Sequence, residues 1–101
     1  MKHGLTDAEF FFLQSKLIQP LKEKKAKIFL FGSRATGHYQ KFSDIDILYI
    51  PDADTPLYKH FIFSLLSEIE ESNFPYKIDL VNIHELALSY KEKIEQEKIE
   101  L

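Results

Sequence analysis

The feature that most constrains this chain is a pair of short apolar runs separated by a glycine-punctuated interval. Lys27 to Phe31 is apolar and aromatic and is stopped at once by Gly32, and a second run from Ile45 to Ile50 resumes after a polar stretch containing Gly37 and Ser43. A brief apolar run bounded by glycine reads as a buried strand that ends in a tight turn. A sheet face must be covered, so helices packed on a small sheet are expected.

The flanking sequence supplies those helices. Thr6 with Glu9 forms a capping box, and Phe10, Leu13 and Leu17 recur at helical spacing, so a first helix is expected from Asp7, ended or kinked by Pro20. Thr55 before Pro56 predicts the start of a helix whose face carries Tyr58, Phe61, Ile62, Leu65 and Ile69 and which stops near Asn73. Tyr76 to Val81 predicts a third strand, and Asn82 with Glu85 a cap opening a last helix through Ala87 and Tyr90. The expected class is α+β, a small mixed sheet packed with helices, formed by residues 1–101 as one domain.

Composition narrows the function classes. The 101 residues are 45% hydrophobic and 29% charged, with nine Phe and five Tyr, enough apolar material to fold. No Cys is present, which removes thiolate metal sites and thiol nucleophiles. A formal charge of -3 and a pI near 5.8 argue against binding nucleic acid directly by counterion release. No apolar stretch approaches a membrane span or resembles a secretory signal, so a cytoplasmic location and no membrane partner are expected.

Chemistry is concentrated in a few residues. Asp44 and Asp46 are two apart on a predicted strand, so both carboxylates point the same way, about 6–7 Å apart along the chain. Asp79 sits within Lys77-Ile78-Asp79-Leu80-Val81, an otherwise apolar strand, where an unpaired charge is costly. Three convergent carboxylates repel one another unless a cation neutralises them, and all-oxygen ligation selects Mg²⁺ or Mn²⁺. Mg²⁺ keeps several waters and completes its shell with substrate phosphates. Gly32-Ser33 offers close backbone approach, N–H groups and a hydroxyl to such phosphates. Arg34, the only arginine of the chain, follows directly and is a further candidate phosphate ligand. The segment Gly32-Ser33-Arg34-Ala35-Thr36-Gly37 is neither a Walker A loop nor a dinucleotide-binding fingerprint.

Gly32-Ser33, ten residues, then Asp44-Ile45-Asp46, with Asp79 on a later strand, resembles the nucleotidyltransferase superfamily that includes the palm of DNA polymerase beta, and within it the minimal nucleotidyltransferases of the MNT class. The matching elements span residues 27 to 81. Thr36 departs from the pattern, since many relatives carry a second Arg there. The resemblance implies the palm-type fold and transfer of a nucleoside monophosphate, usually AMP from ATP, to a hydroxyl. Asp44 and Asp46 would bridge two metal ions, Asp79 would complete the one that activates the acceptor, and Gly32 with Ser33 would hold the β and γ phosphates. Two metals about 3.5–4 Å apart can stabilise the attacking and the leaving oxygen together. MNT-class proteins of this size resemble antitoxins that adenylylate a HEPN-domain RNase toxin, which implies a protein acceptor and a hetero-oligomeric partner. The alternative is a weak or inactive member that neutralises its partner by contact alone; modification of a small antibiotic is disfavoured by the short chain.

Other features receive no role at this stage. His3, His38, His60 and His84 lack metal-ligand spacing, and Lys91 to Lys98 reads as a solvent-facing helix anchored by Ile94. The Phe10-Phe11-Phe12 run reads as core before it reads as an interface.

Overall fold

The computed structural model describes residues 1–101. Thr6 caps α1 (Asp7–Leu13): its hydroxyl accepts from the Glu9 N–H at 3.1 Å while Glu9 Oε1 accepts from the Thr6 N–H at 2.9 Å. This satisfies two of the amide donors that every helix start leaves unpaired.

Pro20 does not end the helix. Gln14–Ile18 widens into a π turn, with the Gln19 N–H reaching back to the Gln14 carbonyl, and α2 (Gln19–Glu23) then starts afresh with proline in its first positions. A proline ring is tolerated in a first helical turn, and the π turn absorbs the missing N–H and the steric clash that an uninterrupted α-helix would meet. A Schellman closure ends α2. Lys25 adopts a left-handed φ of 66°, the Lys25 N–H bonds to the Lys22 carbonyl, and the Ala26 N–H bonds to the Leu21 carbonyl. Leu21 and Ala26, which this closure brings together, are both buried.

The sheet has the order β3-β2-β1-β4. Strand β1 (Lys27–Phe31) pairs antiparallel with β2 (Ile45–Ile50) and with the two-residue β4 (Ile99–Glu100), while β3 (Ile78–Asn82) lies parallel to β2 at the edge. The one-turn α3 (Ser33–Thr36) sits between β1 and β2. Alternation divides the sheet as expected: Ile28, Leu30, Ile45 and Ile47 face a core shared with Leu13, Leu17 and Leu21 of the first helical arm and Ile69 of α4 (Lys59–Glu70). Asp46 and Leu48 are on the opposite face. The architecture is α+β, a mixed four-stranded sheet with helices packed on it.

Two boundaries differ from expectation. The helix expected at Thr55-Pro56 begins at Lys59, because Thr55 instead closes a tight turn in which its N–H bonds to the Asp52 carbonyl at 3.2 Å. Asn82 does cap, its side chain accepting from the His84 N–H, but the element it opens is a 3₁₀ turn, Ile83–Glu85. Helix α5 (Leu88–Glu97) follows after Ala87, and β4 is an element with no sequence signal of its own.

Candidate active site

Strand β1 delivers Gly32 to the sheet margin, and the pairing of Phe31 with Asp46 puts the start of β2 beside it. Gly32 has φ 76° and ψ −156°, a region open essentially to glycine, and a Cβ added there would collide with the Asp46 carboxylate. The glycine is therefore required twice over, by its dihedrals and by the closeness of the acid. Ser33, half-buried, opens α3, and the Ala35 and Thr36 N–H groups both bond to the Gly32 carbonyl.

The parallel register pairs Asp46 with Asp79. Partners in adjacent strands project to the same side about 4.8 Å apart, so the third carboxylate does stand next to the second on one face. Asp44 lies one residue before β2, on the side that Asp46 shares by alternation. Burial, followed by the charges of Asp79, Asp44 and Glu97, holds the Asp46 carboxyl above the ordinary carboxylate range. Asp46 thus carries the electrostatic strain of the cluster.

Asp79 needs correction on one point. It is exposed, and β3 is an edge strand, so its presence does not rest on a buried charge requiring a partner. Its juxtaposition with Asp46 comes from register instead. The acidic side chains do not close into a compact group of three that could hold a metal ion by themselves. Their chemistry nonetheless suits a hard divalent cation: every donor is carboxylate oxygen, one acid has its pKa raised by burial and then by its acidic neighbours, and Mg²⁺ habitually takes the rest of its shell from water and phosphate.

Arg34 also differs from expectation. Only 2% of it is exposed, and its guanidinium donates to backbone carbonyls: Nε and Nη2 to that of Ser43 at 3.1 and 2.8 Å, and Nη1 to that of His3 at 2.9 Å. It lies 4.6 Å from the Tyr76 ring centroid and 5.3 Å from that of Tyr39. These contacts turn the guanidinium inward, away from any phosphate at the turn. Thr36, at the position of the second arginine, directs its hydroxyl to the Ser33 carbonyl at 3.3 Å and lies 3.2 Å from His38 Nδ1.

Glu97 was not foreseen at the site. From the last turn of α5 it accepts the Gly32 N–H at 3.1 Å, and its charge adds to the rise in Asp46. A usable signal exists in the sequence: Glu97 follows the buried anchor Ile94 by three residues, so both fall on the inward helical face. Reading the tail as a solvated charge run hides this.

With this geometry in view, the relatives are informative. No curated protein matches the chain. Among solved structures, a chain of a toxin–antitoxin crystallised with AMP-PNP is 23% identical with a TM-score of 0.65, over 86% of this chain and 70% of that one. A toxin–antitoxin MntA–HpeT mutant gives 21% identity and a TM-score of 0.64 over the same shares. A complex of the tri-AMPylated Shewanella oneidensis HEPN toxin with its MNT antitoxin gives 20% identity and a TM-score of 0.58, over 89% of this chain and 69% of that one. At such identities the likeness is one of fold. The family model "Polymerase beta, Nucleotidyltransferase" matches residues 15–101, most of the chain and all of the sheet, and the chain belongs to that nucleotidyltransferase family.

Proposed function

We propose that this protein transfers AMP from ATP to a hydroxyl of a partner protein, acting as the antitoxin of a pair whose toxin is a helical RNase of the HEPN type. The observation that carries the reading is the meeting of Gly32-Ser33, Asp46 and Asp79 at one margin of the sheet, through the Phe31–Asp46 and Asp46–Asp79 pairings. Membership of the nucleotidyltransferase family and the fold likeness to chains of toxin–antitoxin structures, one solved with AMP-PNP and one holding an AMPylated toxin, support the reaction and the kind of acceptor.

In this reading Asp44, Asp46 and Asp79 hold Mg²⁺, or Mn²⁺, together with the phosphates of ATP. The bound metal supplies charge neutralisation at the phosphoryl centre and lowers the pKa of an acceptor hydroxyl. The chain's own contribution is positioning. The Ser33 hydroxyl and the backbone at Gly32 orient the β and γ phosphates, and Asp79, exposed at the edge strand, is open to an acceptor arriving from outside and can take its proton. Residues 1–101 act as one nucleotidyltransferase domain, with Arg34 removed from the set that touches nucleotide.

A second reading is contact-only neutralisation. The hold of Glu97 on the Gly32 N–H is the observation in its favour. Labelled ATP, Mg²⁺ and the protein encoded beside this one decide between them. Transfer of label that disappears in Asp44→Asn/Asp46→Asn, along with neutralisation, is expected. Neutralisation that survives the double substitution, with no label on the partner, would establish the contact reading instead.

A further inference from the structure

Arg34 is a buried cation with no carboxylate in ion-pair range. Such a group is expensive to desolvate, and shape-matched apolar side chains are often neutral or better for stability at such places. Its retention calls for another explanation, and its contacts supply one. We infer that Arg34 is a positioning residue that fixes the Gly32-Ser33 turn, Asp44 and the strand bearing Asp79 in one relative arrangement. The inference rests on the nucleotidyltransferase reading above.

The three pieces come from separate stretches of chain, and Arg34 joins them through its backbone and its side chain. Arg34 belongs to α3, so its backbone is part of the turn. Two of its nitrogens grip one oxygen, the Ser43 carbonyl, whose peptide continues directly into Asp44. A two-point grip on one oxygen fixes orientation as well as distance, so the direction in which Asp44 leaves that peptide is tied to the turn. Tyr76, whose ring lies against the guanidinium, stands three residues before Asp79 and leads into β3.

The N-terminal turn closes the arrangement from outside. Lys2 and Leu5 exchange backbone hydrogen bonds at 2.9 Å, leaving the His3 carbonyl to accept from Nη1. Gly4 has φ 79°, and a Cβ there would lie 2.6 Å from Nη1 and against the Tyr39 ring, so a side chain at this position would push the guanidinium out of place. A lysine could supply the charge but not the planar fork that bonds both carbonyls while lying over the Tyr76 and Tyr39 rings.

The test compares wild type, Arg34→Lys and Tyr39→Leu by circular dichroism, by thermal midpoint, and by Mn²⁺ titration followed by electron paramagnetic resonance with and without a non-hydrolysable ATP analogue. Arg34→Lys is expected to fold and to lose about tenfold in Mn²⁺ affinity in the presence of the analogue, the scale on which residues that orient metal ligands act. Its affinity for the analogue without metal should stay within about twofold, a split that general loosening of the fold would not produce. Tyr39→Leu, which keeps all three guanidinium hydrogen bonds, should show a smaller loss in the same direction. A folded Arg34→Lys that binds Mn²⁺ like wild type overturns the inference. If that variant does not fold, an unchanged Mn²⁺ affinity in Tyr39→Leu overturns it. Wild type that binds neither Mn²⁺ nor the analogue removes the nucleotidyltransferase reading first, and this inference with it.

Discussion

Asp46 gathers the tension of the site in one carboxyl group. Its pKa is raised by burial and by three neighbouring acids, so the folded chain favours the protonated form. For a group with a raised folded-state pKa, the associated stability is present below the ordinary carboxylate range and is lost as pH rises through the folded-state value. Asp46→Asn is therefore expected to raise the melting temperature at pH 7 by a few degrees, the equivalent of under about 1 kcal/mol once solvent screening of a half-buried group is allowed for. That advantage over wild type should shrink on acidification toward the carboxylate range, while nucleotidyl transfer is lost throughout. A pH series of thermal melts with an activity assay checks both. Glu97 adds to the same repulsion and, in the proposed reading, occupies an N–H open to a phosphate oxygen. Glu97→Ala should tighten ATP binding several-fold by isothermal titration; weaker binding would mean that the carboxylate instead holds the turn in its working shape. The acids at positions 44, 46 and 79 and the Gly32-Ser33 turn are legible from residue type and spacing. The direction taken by the Arg34 side chain is not, because a lone arginine beside a glycine turn fits a phosphate and a pair of backbone carbonyls equally well.

At the level of elements, local chemistry proved decisive where it was complete. The Thr6–Glu9 box fixes the start of α1, and the alternation of Asp46 with Ile45 and Ile47 fixes which face of β2 is polar. It misled where a second structure could use the same residues. Thr55-Pro56 suits a helix start, yet Thr55 closes a turn with Asp52, and Pro20 is accommodated by a π turn that leaves no trace in hydrophobic spacing. Strand β4 exists only because β1 offers a free edge to Ile99 and Glu100, a tertiary cause. The end of α2 offers a clean stability test. Lys25 occupies a left-handed position that favours glycine, and it is exposed. Lys25→Gly is expected to stabilise the fold by about 0.5–1 kcal/mol, measurable by urea denaturation, with no change in activity. Loss of stability would show that the lysine side chain contributes more than the backbone strain removes.

Across the whole molecule, the site is a product of register. The β1–β2 pairing sets Gly32 beside Asp46, and the β2–β3 pairing sets Asp46 beside Asp79, so neither contact is local in sequence. Identical residues in a sheet slipped by one position would put Asp79 on the other face. The final stretch of chain is attached differently. Strand β4 pairs through only two positions, and the tail is completed by the Leu101 N–H on the Ile28 carbonyl and by Lys22 Nζ on the Leu101 carbonyl. Short edge elements of this kind open at a lower free energy than a sheet centre. Opening that extends from β4 into the last turn of α5 would carry Glu97 off and bare the Gly32 amide to solvent. Deuterium uptake at Gly32 should therefore keep pace with uptake along residues 88–101 rather than with the slow amides of β1. The last helix thereby caps the amide at the head of the Gly32-Ser33 turn.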